Sequence, residues 1–437
     1  MTSAATASLE TAAALLQPRD TLGIPLGPGQ PSGLLHALGE RDDFVDLRVF
    51  GALLVDLYAL FMKPGVHYTS GFFGPAERFL VDSGANIEFV PADFRRFAPI
   101  VAALRPRVMA TAAAPPDADG NMSLSLHAGA TVAELHACGA DPDRVLIVEA
   151  NAALPRTFGL PPDHRHCIHV SEADVIITSE RPPFVLADAP PTAAEQRIAE
   201  FARAYIHNGA TLQTGIGGIP SQVVKLLAAS DGGDYGVHSE MFTTGLMELH
   251  KAGKVSNAHK GIFAGSSITT FAAGTAALYE WLDANEAVRF LPVDVVNSPE
   301  TIARNHQMVT INGAIAVDLW GQVVADTLQQ GSASRQFSGV GGHEDFVSVS
   351  GFALEDRSLV CLPATSTVDG VLISRIAGAL ATGAVVTTPR HQLDVVITEF
   401  GVAELRGRTV RERAVALAAI SHPNFSDELR ARADQLR

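Results

Sequence analysis

The chain has 437 residues, of which 47% are hydrophobic and 18% charged, and its formal net charge is −15. That length is long for one core and suits two domains; the composition is that of a well-buried enzyme and excludes a disordered chain. The acidity excludes bulk binding to a nucleic-acid polyanion, so an anionic small ligand needs backbone N–H groups or a few local cations.

Three scattered cysteines, Cys138, Cys167 and Cys361, are odd in number and point to a reducing compartment without a disulfide framework. The alanine-rich stretch 1–17 has no basic leader and contains Glu10, so a surface helix is expected there rather than a signal peptide. No apolar run is long enough to span a bilayer. The expectation is a soluble cytoplasmic protein with no membrane or nucleic-acid partner.

Along the first half, strands are expected at 21–24, 47–55, 67–74 and 86–91, and helices at 75–82 and 94–104. Residues 107–112 and 122–126 flank Asp117-Ala118-Asp119-Gly120 and read as a hairpin-like pair. A helix at 128–138 and strands at 144–148 and 167–177 follow. Arg181 to Pro191 holds four prolines, which break helix and sheet alike. The domain boundary is placed there, giving domains 1–187 and 188–437. The second half alternates again: helix 193–206, strand 211–213, helix 221–228, a strand at 261–264, helix 275–284, strand 288–296, a hairpin around Leu319-Trp320-Gly321, strands at 358–362, 383–388 and 393–398, and closing helices 410–420 and 426–437. Alternation in both halves argues for two α/β domains.

Four stretches stand out. Thr214-Gly215-Ile216-Gly217-Gly218-Ile219-Pro220 lies between a strand and a helix, where free N–H groups face any ligand. It lacks the spacing of the dinucleotide fingerprint, and taken alone a glycine loop is as often a tight turn. His238-Ser239-Glu240-Met241 puts a carboxylate at a strand-to-helix junction, where open α/β sheets bind ligands; the bland alternative is a solvated helix-start residue. Gly339-Val340-Gly341-Gly342-His343-Glu344 is either a bulge or a pocket of backbone donors. Thr398-Glu399-Phe400-Gly401 ends a buried-type strand, with Glu399 as a supporting carboxylate or a plain cap. The cluster Asp163, His164, His166, Cys167 and His169 lacks the paired spacing of a metal site, and no metal is expected.

Together these stretches, with Val295-Val296-Asn297-Ser298-Pro299-Glu300 and Ile373-Ser374-Arg375-Ile376, resemble the acetyl-CoA hydrolase/transferase family of the family I CoA-transferases, from about Thr21 to about Leu429. Its better-known members act as 4-hydroxybutyrate, acetate or succinyl-CoA:acetate CoA-transferases. The resemblance implies two similar open-sheet α/β domains with the active site in the cleft between them, and a homodimer or higher homo-oligomer. It implies that Glu240 is the covalent nucleophile, with Asn297 and Glu399 as active-site neighbours. It further implies that Gly215, Ile216, Gly217, Gly218 and Ile219 contact CoA and that Gly341 and Gly342 lie against the thioester or pantetheine arm. Gly27-Pro28-Gly29 and Phe72-Phe73-Gly74 are expected to face the same cleft. No cofactor is bound permanently; coenzyme A arrives as acyl-CoA substrate and a carboxylic acid accepts it, in ping-pong chemistry. The alternatives are an acyl-CoA hydrolase using the same glutamate, and a non-catalytic CoA-binding protein. Two departures are notable: His343-Glu344 follows the double glycine where relatives have a polar amide, and Arg357 stands where relatives often carry a CoA-contacting lysine.

Overall fold

The structure is a computed structural model and describes residues 5–187, 190–330, 333–349 and 353–436. Two compact units form. The first takes Met1–Leu186, Glu240–Phe242 and Ile268–Ser298; the second takes Ala187–Ser239, Thr243–Ser267 and Pro299–Arg437. The expected boundary at 187/188 meets Asp188, which lies outside the described residues. After that point the chain returns to the first unit twice, and Glu240 and Asn297 belong to those returns.

The first unit is built on an eight-stranded, wholly parallel sheet. Its order is Ala5–Thr6, Val175–Ser179, Val145–Asn151, Val108–Ala113, Arg19–Gly23, Asp46–Gly51, Val66–Ser70, Ile87–Phe89. Val108–Ala113 is buried at all its positions, as a parallel strand covered on both faces must be. After the edge strand Ala5–Thr6 the chain enters the middle of the sheet at Arg19–Gly23, steps outward on one side, then returns to the other. The direction therefore switches between Arg19–Gly23 and Val108–Ala113, the kind of crevice where such sheets take ligands. Here the protein fills the anion position itself. Helix Ser32–Gly39 has no side-chain cap at Pro31, and the amides of Gly33 and Leu34 donate to the buried Glu149 carboxylate at 3.1 and 3.0 Å. A carboxylate at a helix N-terminus satisfies otherwise orphaned N–H groups and complements the dipole.

Several expected elements change in this unit. The helix expected across 1–17 is a short one, Leu9–Ala13, preceded by the edge strand Ala5–Thr6. It is not superficial: Ala12, Ala13 and Leu16 join Leu34, Leu35 and Leu38 in the core, because alanines let two helices approach closely. The residues of 107–112 and 122–126 do not form a hairpin. Val108–Ala113 is claimed by the central sheet, and Asn121–Ser123 pairs antiparallel with Cys167–His169; only the turn between Asp117 and Asn121 survives. The strand expected at 288–296 stops at Phe290, and after Pro292 the chain forms helix Val293–Val296, proline's fixed φ suiting a helix start.

The second unit holds a six-stranded sheet in the order Gly236–Val237, Thr211–Thr214, Met308–Gly313, Arg357–Cys361, Val395–Thr398, Gly401–Glu404, parallel except for its last pair. Strand periodicity divides its two faces. Leu359, Cys361, Val395 and Ile397 pack with Ile198, Val223 and Leu227 of helices Ala193–Arg203 and Gly218–Ala228. Val360, Leu362 and Val396 pack with Ala414, Leu417 and Leu429 of the closing helices Val410–Ala419 and Pro423–Ala433. The hairpin around Leu319-Trp320-Gly321 forms, from Ala316–Asp318 and Val323–Val324. The strands expected at 261–264 and 383–388 do not: the first is a turn with Phe263 at φ 54°, and the second contributes a single bridge, Thr388 to Val323. No helix among the described residues is long and apolar enough to cross a membrane.

Candidate active site

Glu240 follows the end of Gly236–Val237 by three residues. Ser239 before it is buried and exchanges hydrogen bonds with the backbone of Thr214, accepting from its N–H at 3.4 Å and donating to its carbonyl at 3.1 Å. Ser239 is thereby a structural tie rather than a nucleophile beside His238. Met241–Phe242 then pairs in parallel with Phe271–Ala272. The Glu240 carbonyl accepts from Thr269 Oγ1 at 2.9 Å, Thr270 N at 3.0 Å and Phe271 N at 3.2 Å. Three donors on one carbonyl fix the backbone from which the carboxylate projects.

The half-buried side chain is oriented as well. Its Oε2 accepts from Asn297 Nδ2 at 2.6 Å. Asn297 is fully buried and ends helix Val293–Val296, its own N–H donating to Val293 O at 2.8 Å. Hydrogen bonds to an ionised acceptor are short and strong, and this one selects which carboxylate oxygen is held. Two residues 57 apart in sequence are thus brought into contact.

The glycine loop builds a second feature, inside the second unit. Gly217 has φ 113° and ψ 174° and stands at the N-terminus of helix Gly218–Ala228, a conformation that only glycine adopts readily. Gly215 and Gly217 face open space where a Cβ would lie. A cavity of about 240 Å³ opens there, lined by Gly215 to Pro220, Ile311 to Ala314, Cys361, Pro363 and Glu195. It lies beyond the C-terminal ends of Thr211–Thr214 and Met308–Gly313, where this sheet reverses its order, so it occupies the expected ligand crevice. In the first unit the corresponding amides are already bonded to Glu149; here the helix N-terminus borders a cavity. Asn312 exchanges hydrogen bonds with Gln213 at 3.3 and 3.4 Å. Burial pushes the Cys361 thiol up to about 12, so it lines the wall without reactivity.

Sequence reasoning missed Glu195, Asn312, Cys361 and Pro363. Asn312 was findable, because it lies near the end of a mostly buried strand next to the switch point. Glu195 was not: it caps its own helix with Thr192, and folding sets its carboxylate against Gly218, where a Cβ would come within 2.5 Å of Oε1.

The other candidates take distinct places. Glu399 closes strand Val395–Thr398 and accepts from Ala364 N at 2.8 Å, bracing the residue after cavity-lining Pro363. Its charge also opposes the effect of burial on Arg375, which lowers that guanidinium's pKa. Gly341 has φ 57° and Gly342 caps the short helix His343–Val347; among the described residues neither lines the cavity. His343 Nε2 meets Thr388 Oγ1 at 2.8 Å, and Thr388 also bonds Glu344, so the pair after the double glycine is turned toward Thr388. Arg357 starts the strand whose far end, Cys361, lines the cavity, about 13 Å away along the strand. Its guanidinium donates to Leu354 O at 2.6 Å and Asp356 O at 2.8 Å, so it does not serve this cavity. In the first unit, Gly27 and Pro28 line a different cavity of about 310 Å³ with Asp56, Glu149 and Arg181, and Gly29 leaves room for the buried His127 ring, which a Cβ there would strike. Phe73 packs on Phe89, and Gly74 donates to Glu77.

The histidine-rich stretch has structural partners. His166 Nε2 meets Ser125 O and Thr157 Oγ1 at 2.9 and 3.0 Å, and its ring stacks on Phe290. His169 bonds Ser171 Oγ and Asp119 O.

Comparison with known proteins agrees with this architecture. Residues 274–433 match the family model of the acetyl-CoA hydrolase/transferase C-terminal domain. The succinyl-CoA:cyclohexane-1-carboxylate CoA transferase of Geobacter metallireducens is 34% identical over 423 residues, 96% of this chain and 92% of that protein. The 4-hydroxybutyrate coenzyme A transferase of Clostridium kluyveri is 35% identical over 410 residues, 90% of this chain and 91% of that protein. The crystal structure of RipA from Yersinia pestis superposes with a TM-score of 0.88 at 28% identity, covering 98% of this chain and 97% of that one. With that extent of identity along nearly its whole length, the chain belongs to the acetyl-CoA hydrolase/transferase family.

Proposed function

We propose that the protein is a CoA-transferase that moves CoA between short-chain carboxylic acids through a glutamyl-CoA thioester on Glu240. The observation that carries this reading is the 2.6 Å bond from Asn297 Nδ2 to Glu240 Oε2, which holds one oxygen of an ionised carboxylate and orients the other for attack. The names of the Geobacter and Clostridium relatives, both CoA transferases, support transfer over hydrolysis.

The steps follow from the carboxylate. A Glu240 oxygen attacks the acyl-CoA thioester carbonyl; the C–S bond breaks, leaving a mixed anhydride and CoA thiolate. The thiolate attacks the glutamyl carbonyl, displacing the first carboxylic acid as its anion and forming the glutamyl-CoA thioester. An acceptor carboxylate then attacks that thioester, and the returned thiolate takes the new acyl group and frees Glu240. Each intermediate keeps one carbonyl activated, first as the mixed anhydride and then as the glutamyl thioester, which is how covalent catalysis divides one difficult transfer into easier ones. When thiolate or acceptor adds to the glutamyl carbonyl, negative charge develops on the oxygen facing Asn297, and a preorganised donor there stabilises it.

In this reading the backbone N–H groups from Gly215 to Ile219 receive part of CoA in their cavity, Gly341 and Gly342 lie along its pantetheine arm, and Glu399 keeps the cavity wall in place. We keep 1–187 and 188–437 as the proposed division of the sequence, all of these residues falling in the second part, and propose no permanently bound cofactor. We further place the enzyme in the cytoplasm, as a homodimer or higher homo-oligomer; three free cysteines support a reducing compartment.

The test is intact-mass analysis after mixing the protein with acetyl-CoA and no acceptor, followed by peptide mapping. A CoA-sized adduct on the Glu240 peptide, discharged by acetate or 4-hydroxybutyrate and absent from Glu240→Ala, is expected. Steady release of free CoA without an adduct would instead show water as the acceptor. Full activity in Glu240→Ala would overturn the covalent route.

A further inference from the structure

Lys260 is 5% exposed, and among the described residues it forms no ion pair. Its Nζ donates to two backbone carbonyls, Val237 O at 2.8 Å and Ser266 O at 2.9 Å. Burial pulls its ammonium down to about 7, an unfavourable placement that an apolar residue would avoid. The two acceptors have a common feature. Val237 lies three residues before Glu240. Ser266 lies three residues before Thr269, whose hydroxyl, with the amides of Thr270 and Phe271, holds the Glu240 carbonyl. One ammonium therefore grips the roots of both segments that end at Glu240.

The surroundings are built around this grip. Gly236 leaves room for the lysine stem: a Cβ there would come within 2.6 Å of Lys260 Cγ. Asn257 repeats the tie beside it, accepting from Val237 N at 2.9 Å and donating to Ser267 Oγ at 3.1 Å. His250 reaches the same hydroxyl at 2.8 Å, and burial lowers its pKa to about 4, leaving it neutral.

We propose that Lys260 is a positioning residue for Glu240: by clamping the carbonyls of Val237 and Ser266 it sets the backbone from which the nucleophile projects. This rests on the function proposed for Glu240. Lys260→Met keeps the stem and removes the donors. The experiment follows, by rapid quench and intact mass, how fast acetyl-CoA labels Glu240, how much protein is labelled at the end point, and how tightly free CoA binds by calorimetry. The expected result is a labelling rate at least tenfold slower, with full end-point labelling and CoA affinity within twofold of wild type. A structural role alone predicts the opposite pattern, a smaller labelled fraction reacting at the wild-type rate, and that result overturns the proposal. So does a parallel fall in rate and CoA affinity. If Lys260→Met fails to fold, Gly236→Ala, whose methyl would lie 2.6 Å from Lys260 Cγ and so shifts the stem and draws Nζ off its two carbonyls, must show the same slow labelling. Wild-type protein that never labels would remove the function proposed for Glu240, and this inference with it; labelled wild type with an unaffected variant removes the inference alone.

Discussion

Replacing Asn297 by aspartate tests the Glu240 site most directly, because it keeps shape and exchanges a donor for a second carboxylate. The amide sits 2.6 Å from Glu240 Oε2 and is fully buried. Two carboxylates with charge centres about 4 Å apart repel by about 4 kcal/mol at an effective dielectric constant near 20. At 1.36 kcal/mol per unit this raises the pH of the pair's second ionisation by about 3 units. Below that pH the pair shares one proton and behaves as a coupled dyad, so the nucleophile is disabled. The assay is the rate of Glu240 labelling by acetyl-CoA between pH 5 and pH 9. Wild type should be nearly flat above pH 6. Asn297→Asp should rise about tenfold per pH unit and level about 3 units above the pH at which wild type does. Asn297→Ala should keep the flat profile and lose about 10- to 150-fold throughout, the worth of a hydrogen bond of about 1.5–3 kcal/mol to a charged group. A flat profile in the aspartate variant would refute the reasoning, since it would mean that the two side chains do not meet in the reacting enzyme.

Two further outcomes concern the rest of the molecule. Gly217→Ala meets no neighbour but forces alanine to φ 113°, a strain of about 1–3 kcal/mol. CoA affinity by calorimetry should fall about tenfold while the fold is retained, and unchanged affinity would detach this loop from CoA binding. His127 and His166 are buried, and desolvation lowers them to about 4 and about 3. Their folded values lie below the ordinary value of about 6.5, so the unfolded chain takes up protons first as pH falls. Their contribution is complete above about pH 6.5 and is lost as pH falls toward 4 and 3. Urea midpoints should drop across that window and drop less steeply in His166→Asn; equal slopes would show that this histidine does not titrate with unfolding.

The sequence by itself determined the class of fold and the identity of the motifs. A buried-type run such as Val395–Thr398 has no polar face to show to water, so it forms a strand inside a sheet. Glycines at 215 and 217 after a short strand mark a loop, and whether it is a tight turn or opens on a cavity is decided by the structure. Local patterns failed where a partner at long range competed. Residues 107–112 left their apparent hairpin because a central strand slot buries both faces, and 288–296 broke at Pro292 because proline favours a helix start. The alanines near the N-terminus look like a surface helix until a second helix arrives to cover them. Only the tertiary structure decided that Glu240 and Asn297 touch, that Glu240 packs with the first unit although it follows Ser239 of the second, that Glu149 closes one switch point while a cavity opens at the other, and that Arg357 points away from that cavity. None of these follows from neighbours along the chain. They depend on which strands lie side by side, and that is fixed by burying the whole apolar surface at once rather than by any single segment.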